Sequence, residues 1–366
     1  MATNGQPTFG FVASAAGRPG ASDAELYATL MADCEHNQDL GYDTAWVLEH
    51  HFSDYYPTPD PMLLLANLGA RFPRLNLGTC VIVTPWHQPL RLAEQISMVS
   101  VLSDRHLHLG LGRGTAKFEY DALGYEMGEA RARFKETYEI IDLALSGTPF
   151  TYSGQHLQVP KKIRMRPTPN RARITLYGAI GGSPESAEIM GRMGLVPMCT
   201  SVGAWEKQAA TLTEWRKAAA AAGHDHSDAK IPILVDCIIA DTDREAIDEA
   251  CEYKPRYFQA SLDHYAPYAT DWEATGFTAH RQIFATMEKL TTREGTVAWT
   301  DWQLIGSPDT VAAKLQRFVD IGFGSFILLF GSPGTPLEAR SRWAEAFANE
   351  VGPRFSAAFN TVRRAG

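Results

Sequence analysis

The sequence lacks the features that mark several protein classes. Its five cysteines are scattered through 366 residues without a Cys-x-x-Cys pair, so neither a disulfide framework nor a zinc cage is indicated. The net charge is -8, without a Lys/Arg-rich run, which argues against nucleic acid as a partner. No apolar run approaches the length of a membrane span, and the polar segment Met1–Pro7 does not resemble a signal peptide. A soluble, cytoplasmic protein without a membrane partner is expected.

Runs with strand character alternate with amphipathic helical stretches, and this order is typical of a parallel sheet. The predicted strands are Thr8–Ala13, Thr44–Leu48, Leu75–Val83, His106–Leu111, Ile174–Ala179, Val196–Cys199, Ile231–Ala240 and Ser325–Phe330. The predicted helices include Ser22–Leu40, Leu90–Leu102, Ala130–Leu145, Ala204–Ala222 and Thr310–Ile321. Eight such units without a G-x-G-x-x-G turn favour a closed barrel over an open doubly wound sheet. We therefore predict an α/β fold, one (β/α)8 TIM barrel domain over residues 1–366.

Two segments interrupt the alternation. A β-hairpin is predicted around Phe150–Pro160, with Ser153-Gly154 as its turn. A stretch from about Tyr253 to Thr300 is rich in aromatic residues without clear strand alternation. Long excursions of this kind are often lids or binding loops, so residues 253–300 are interpreted as a lid-like insertion over an active site. An oligomer contact or a packed surface insertion remains an equal alternative.

The second predicted strand runs into Glu49-His50-His51, at the C-terminal rim where barrel enzymes place their chemistry. Histidine titrates near neutral pH, so it can donate or accept a proton without a large pKa shift. Glu49 is expected to orient the imidazole. The alternative is that His50 and His51 only cap the end of a strand.

Two neighbouring strand ends could hold a phosphate. The fourth strand is followed by Arg113, whose guanidinium suits bidentate phosphate binding. The fifth ends in Gly182-Ser183 before a helix that carries Ser186 in its first turn, and free N–H groups at a helix N-terminus bind anions. Plain helix capping explains the second sequence equally well, but the convergence favours a phosphate-bearing ligand.

Other chemistries are less well supported. His106 and His108 form a His-x-His pair, but they precede the strand end, so no metal site is expected. No lysine lies at a predicted strand end, which disfavours a Schiff-base aldolase. A barrel isomerase or lyase acting on a sugar phosphate would explain the phosphate constellation.

The segment Gly41–Phe52 resembles the part of luciferase α-subunits that holds the catalytic histidine. With further matches from Phe9 to about Arg354, the chain is similar to the bacterial luciferase family of flavin-dependent monooxygenases. The resemblance implies a catalytic role for His50. It also implies that Leu75–Pro85 is the third strand, with a non-prolyl cis peptide at Cys80–Val81 forming the wall for the flavin ring. By the same resemblance, the phosphate contacts fall on Arg113, Gly182, Ser183 and Ser186.

The resemblance further implies an activity. FMN, bound as FMNH2, would react with O2 to a C4a-(hydro)peroxide that oxidises a small hydrophobic organic substrate. Glu119 is assigned to the cofactor site, and Trp86 and His51 are assigned to the substrate pocket. Because the sequence lacks a dinucleotide-binding fingerprint, a separate NAD(P)H:flavin reductase is the expected partner in a two-component system. A homodimer is also expected.

Two related functions stay open: an F420-dependent oxidoreductase, for whose polyanionic tail only Lys117 lies close by, and a non-catalytic flavin-binding protein, against which His50 argues. The chain also departs from the luciferase pattern. Gly112 occupies the position of the reactive cysteine, Ala116 that of a nearby tyrosine, and Ser100 that of an aspartate. Light emission is therefore not implied.

Overall fold

A parallel β-barrel forms the centre of the protein in a computed structural model that describes residues 5–181, 184–265 and 280–362. The barrel strands are β1 (Thr8–Val12), β2 (Thr44–Val47), β3 (Asn76–Val83), β4 (Leu107–Gly112), β7 (Ile174–Ile180), β8 (Val196–Thr200), β9 (Ile231–Ile239) and β11 (Phe323–Leu329). They pair in this order, β9 with β8 and β11, and β11 with β1, which closes the barrel. The eight predicted strands and the TIM barrel fold are confirmed.

Helices surround the barrel within the described ranges. They are α1 (Asp23–Leu40), α2 (Pro61–Arg71), α3 (Pro89–Leu102), α4 (Lys117–Leu123), α5 (Ala130–Leu145), α6 (Pro184–Arg192), α7 (Trp205–Ala221), α8 (Asp243–Tyr265), α9 (His280–Leu290), α10 (Arg293–Thr300), α11 (Pro308–Ile321), α12 (Leu337–Ala346) and α13 (Ala358–Val362). The five predicted helices are confirmed. None of the described helices is long and apolar enough to cross a membrane.

The predicted hairpin is confirmed as β5 (Phe150–Ser153) and β6 (Gln158–Ile163), which pair antiparallel. A short strand that was not predicted, β10 (Leu304–Gly306), adds to the outer edge of β9. Its three residues are too few to show a period, which explains why it was missed.

The stretch interpreted as an insertion from about Tyr253 begins in the middle of a helix. Helix α8 runs from Asp243 to Tyr265 and contains Pro255. Proline removes a helical hydrogen bond and usually ends a helix, which made the sequence misleading at this point. Buried side chains at Phe258 and Leu262 pack the second half of α8 against the protein. Residues 266–279 of the stretch lie outside the described residues.

Candidate functional site

A cavity of about 370 Å³ opens at the C-terminal ends of the barrel strands, within the range of sites for small molecules and cofactors. It lies between the β-strand ends, the loop after β2 and the inner face of α8. Among the predicted site residues, its lining includes Glu49, His50, Cys80, Val81, Trp86, Arg113, Glu119 and Ser186. Gly182 and Ser183 lie outside the described residues. His51 does not line the cavity, but its ring stands edge-on to that of Trp86 with a centroid distance of 5.3 Å.

Glu49 is the centre of a buried hydrogen-bond network. Its Oε2 accepts from the backbone N–H of Val83 at 2.8 Å, and its Oε1 lies 2.9 Å from Nε2 of His87 and 3.2 Å from Nε2 of His51. Burial alone would raise the pKa of Glu49, but the charge of His87 and these hydrogen bonds outweigh it and hold the pKa at about 2. The same carboxylate raises the pKa of His87 against the effect of burial.

Of the two histidines that follow it, Glu49 therefore contacts His51 and not His50, and it also contacts the unpredicted His87. The backbone N–H of His50 donates to the carbonyl of Thr58 at 3.2 Å in an isolated bridge. The His50 ring itself lies beside Glu119 of α4 and His264 of α8.

His50 is packed among other rings. Its imidazole lies edge-on to Tyr55 at a centroid distance of 5.0 Å and to His264 at 4.8 Å. Within the described part of the chain, its buried Nδ1 has no hydrogen-bond partner. Burial, and then the proximity of His264, lower the pKa of His50 well below its usual range, so the ring is neutral at neutral pH.

Glu119 comes from α4 and is only 1% exposed. Its Oε1 accepts from the backbone N–H of His51 at 2.6 Å and lies 3.9 Å from Nδ1 of His50. Burial raises the pKa of Glu119 to about 8, despite the hydrogen bond from His51 and with a further contribution from Glu49. The carboxyl therefore keeps its proton at neutral pH.

Helix α8 contributes side chains that the sequence reasoning did not single out. His264 is buried, with Nδ1 2.7 Å from Oγ of Ser53 and Nε2 3.5 Å from Oε1 of Glu119. Burial and then His51 lower the pKa of His264 to about 4. Tyr257, from the same helix, accepts a hydrogen bond from the hydroxyl of Tyr55 at 3.2 Å. A histidine within an aromatic-rich stretch was the only signal in the sequence.

Cys80 and Val81 form part of the cavity wall. The expected non-prolyl cis peptide between them is confirmed, and the β3–β4 register shifts between Thr79 and Ile82. Gly112 on β4 faces this segment: an ideal Cβ at Gly112 would lie only 2.4 Å from Cγ2 of Val81. Gly112, at the position of the luciferase cysteine, therefore leaves room for the side chain of Val81.

Cationic side chains collect at another part of the cavity. Arg113 follows β4, and burial, followed by the charge of Arg131, lowers the pKa of its guanidinium. Arg131, at the start of α5, also lines the cavity and was not predicted. Its Nη1 donates to Oε1 of Glu185 at 2.8 Å. Ser186 in the first turn of α6 lines the same region, so two guanidinium groups and the start of a helix lie together at one part of the cavity, a combination that suits an anion.

The His-x-His pair lies apart from the cavity lining. His106 Nε2 contacts Oγ1 of Thr175 at 2.8 Å, and His108 Nδ1 contacts the hydroxyl of Tyr177 at 3.0 Å. Both contacts join β4 to β7, so these histidines serve the packing of the barrel.

Known proteins resemble parts or most of the chain. An uncharacterized protein of Sinorhizobium fredii, y4vJ, is 37% identical over 138 residues, or 36% of this chain and 39% of that protein. The alkanal monooxygenase alpha chain of Aliivibrio fischeri is 24% identical over 77% of this chain and 80% of its own. The oxygenase component of the flavin-dependent trigonelline monooxygenase of Acinetobacter baylyi is 24% identical over 91% of both chains.

Solved structures agree on the fold. The oxygenating constituent of 3,6-diketocamphane monooxygenase from Pseudomonas putida, in complex with FMN, superposes with a TM-score of 0.74 at 20% identity over 96% of this chain and 99% of its own. An F420-dependent secondary alcohol dehydrogenase superposes with a TM-score of 0.71 at 15% identity over 97% and 99%.

The family model of the luciferase-like monooxygenases matches residues 8–325. That range contains all the barrel strands but the end of β11, together with the Glu49-His50-His51 segment and the Arg113 region. The chain belongs to the luciferase-like monooxygenase family.

Proposed function

We propose that the protein is the oxygenase component of a two-component flavin system, which binds reduced FMN and uses O2 to oxidise a small hydrophobic organic substrate. The observation that carries this proposal is the division of one cavity into unlike regions. Arg113, Arg131 and Ser186 provide an anion site, whereas His50 lies among tyrosine rings. The wall of Cys80 and Val81 also lines this cavity.

The donor set fits FMN. A phosphomonoester carries up to two negative charges, which the two arginines can pair with bidentate hydrogen bonds. The segment Cys80–Val81 offers an apolar surface to a planar ring, and Gly112 keeps β4 clear of it. When bound, the reduced flavin supplies the electrons that activate O2.

The chain's own groups then have separate tasks. The unpartnered Nδ1 of His50 can accept or donate a proton at the substrate end of the cavity. Tyr55, Tyr257 and Trp86 enclose that end and exclude water, which protects reactive species from hydrolysis and favours an apolar substrate. Glu49 fixes His51 and His87 rather than reacting itself.

An anaerobic titration with FMNH2 and, separately, F420H2 tests the cofactor. We expect tight FMNH2 binding that Arg113→Ala weakens by at least about tenfold, the equivalent of one lost charged hydrogen bond. Arg74→Ala, on the surface beside Asp39, is the matched control and should bind normally. F420H2 needs cations for its tail beyond the two arginines of the phosphate site, but the nearby Lys117 pairs with Asp121. Preference for F420H2 would overturn the FMN assignment in favour of a deazaflavin oxidoreductase.

Mixing the FMNH2 complex with O2 tests the reaction. Incorporation of one atom of ¹⁸O from ¹⁸O2 into an apolar aldehyde, ketone or aromatic compound is the expected result, with a separate NAD(P)H:flavin reductase providing FMNH2. His50→Ala should abolish product formation while leaving FMNH2 binding intact, and His224→Ala on the surface should change neither. The opposite result is that all the consumed O2 is released as H2O2 with every substrate class, to the same extent in wild type and in His50→Ala. That result would overturn the oxygenase proposal and leave a non-catalytic flavin-binding protein.

A homodimer is the assembly we propose, through the outer faces of α2 and α3. Met98, Val101 and Leu102 form an exposed apolar patch on α3 at helical spacing, and Leu63 is exposed at the start of the neighbouring helix α2. Such a patch is costly in a monomer. Sedimentation should show a dimer that Leu102→Lys converts to a monomer; a monomeric wild-type protein would contradict this assembly.

A further inference from the structure

Three side chains from separate parts of the chain converge beside the cavity. His50 follows β2, Glu119 lies on α4 and His264 lies near the end of α8. Their ligand atoms all lie within 4.8 Å of one another: Oε1 of Glu119 is 3.9 Å from Nδ1 of His50 and 3.5 Å from Nε2 of His264. The two imidazole rings pack at a centroid distance of 4.8 Å with an angle of 84° between their planes.

We infer that His50, Glu119 and His264 form a binding site for a first-row transition-metal dication such as Zn²⁺. Tetrahedral coordination at about 2.0–2.1 Å places ligand atoms about 3.3 Å apart. The two distances to Oε1 of Glu119, 3.5 and 3.9 Å, are close to that value. The widest separation in the cluster, 4.8 Å, has to shorten by about 1.5 Å when the metal binds. Two imidazoles and one carboxylate suit zinc, cobalt or ferrous iron better than calcium or magnesium, which prefer oxygen ligands alone.

The hydrogen bonds around the cluster support this inference. Among the described residues, Nδ1 of His50 and Nε2 of His264 are buried without a hydrogen-bond partner, and such atoms cost stability unless something pairs with them. The side chain of His264 is fully buried. The hydrogen bonds that His264 and Glu119 make to Ser53 and to the backbone of His51 do not use up the atoms that face one another.

The positions of the ligands are fixed from outside. Oγ of Ser53 lies 2.7 Å from Nδ1 of His264, so Nε2 is the nitrogen directed at Glu119. The backbone N–H of His51 holds Oε1 of Glu119 and leaves the oxygen a second lone pair. Metal-binding histidines commonly have such a contact on the second ring nitrogen.

One coordination position can face the cavity, because both His50 and Glu119 line it. A bound dication would occupy the Nδ1 atom that we assign to proton transfer. The metal would therefore inhibit oxygenation rather than promote it. Binding itself can be measured without flavin or substrate, so the test does not depend on the proposed function.

Chelator-treated, flavin-free protein is titrated with Zn²⁺ by calorimetry and with Co²⁺ by visible absorption. We expect one site per chain and a tetrahedral Co²⁺ spectrum. Because loss of a contact to a ligating group costs about 10–100-fold in affinity, Ser53→Ala should weaken binding by about tenfold. Loss of a ligand in His264→Ala or Glu119→Gln should cost more than about 100-fold.

The control is His224→Ala. The exposed His224 lies beside the half-buried His226, with ring centroids 6.1 Å apart, and this pair is an obvious place for adventitious binding. Zn²⁺ should raise the melting temperature of wild type and of His224→Ala but not of Glu119→Gln, which keeps the size of the side chain and so guards against misfolding of His264→Ala. Absence of Zn²⁺ binding in wild type, binding unchanged in Glu119→Gln, or binding lost in His224→Ala would each overturn the site.

Discussion

Gly112→Ala tests how closely β4 must approach the Cys80–Val81 wall. The new Cβ would lie 2.4 Å from Cγ2 of Val81, far inside the usual carbon contact of about 3.5–4.0 Å. Because Val81 is β-branched and stiff at χ1, its methyl cannot turn away freely, so the strand must shift. Overpacking of this kind costs about 1–3 kcal/mol.

One opposing effect has to be subtracted. Gly→Ala at a position without a left-handed backbone stabilises a protein by about 0.4–1 kcal/mol through the unfolded chain. Gly181→Ala measures that effect, because Gly181 also lines the cavity but its Cβ would meet nothing within 4 Å. We expect a net loss of about 1–2 kcal/mol in Gly112→Ala and none in Gly181→Ala.

Urea unfolding of the flavin-free protein measures both variants. The double variant Gly112→Ala/Val81→Ala removes the clashing methyl groups, so its loss of stability should be smaller than the sum of the single losses by at least about 1 kcal/mol. The shifted strand should also weaken FMNH2 binding in Gly112→Ala and not in the double variant. Two results would contradict the reasoning. Gly112→Ala could prove as stable as Gly181→Ala, or the stability losses of Gly112→Ala and Val81→Ala could simply add in the double variant. In either case the close approach of β4 does not constrain this wall.

Three further perturbations concern polar contacts inside the fold. Lys254 is fully buried against Asp236, so Lys254→Met should cost about 3–5 kcal/mol, and the double change with Asp236→Leu should recover most of it, measured by urea unfolding. Burial raises the pKa of Asp43 to about 6, so the folded protein binds this proton more tightly than the unfolded chain. The folded state should therefore lose stability, on the order of 2 kcal/mol, as the pH rises from about 4 to 6. Asp43→Asn should abolish this pH dependence in melting curves. Trp343→Phe should cost about 1–2 kcal/mol, because its indole N–H bonds Glu249.

The barrel could be predicted from sequence because its strands carry local signals. β-branched and apolar runs such as those of β3 and β9 are long enough to show their type, and chain order then fixes the neighbours. The convergence of Arg113 and Ser186 on one cavity followed from the adjacency of β4 and β7. These inferences need only chain order and the rule that strand ends meet at one rim.

The cluster around His50 could not be predicted in the same way. It depends on the path of the loop after β2, which places the carboxylate of Glu49 against His51 and His87. It also depends on α8, which places His264 beside His50. The buried face of α8 includes Lys254 between Ala250 and Phe258. The charged lysine interrupts the apolar pattern of the helix, because it is buried by its ion pair with Asp236 rather than by apolar contacts. Sequence periodicity carries no signal for such pairing.

The histidines of this chain give an internal comparison. At the other end of β4, His106 and His108 have hydroxyl partners on β7, as buried polar groups ordinarily do. Around the cavity, Nδ1 of His50, Nε2 of His264 and Nε1 of Trp86 have none among the described residues. Isolated atoms of this kind occur elsewhere, as at Nε1 of Trp46, but the nitrogens of His50 and His264 belong to one cluster within 4.8 Å, and Trp86 lines the cavity beside it. Each costs about 1–3 kcal/mol, so their grouping is best explained by a ligand that enters the cavity and completes their hydrogen bonds.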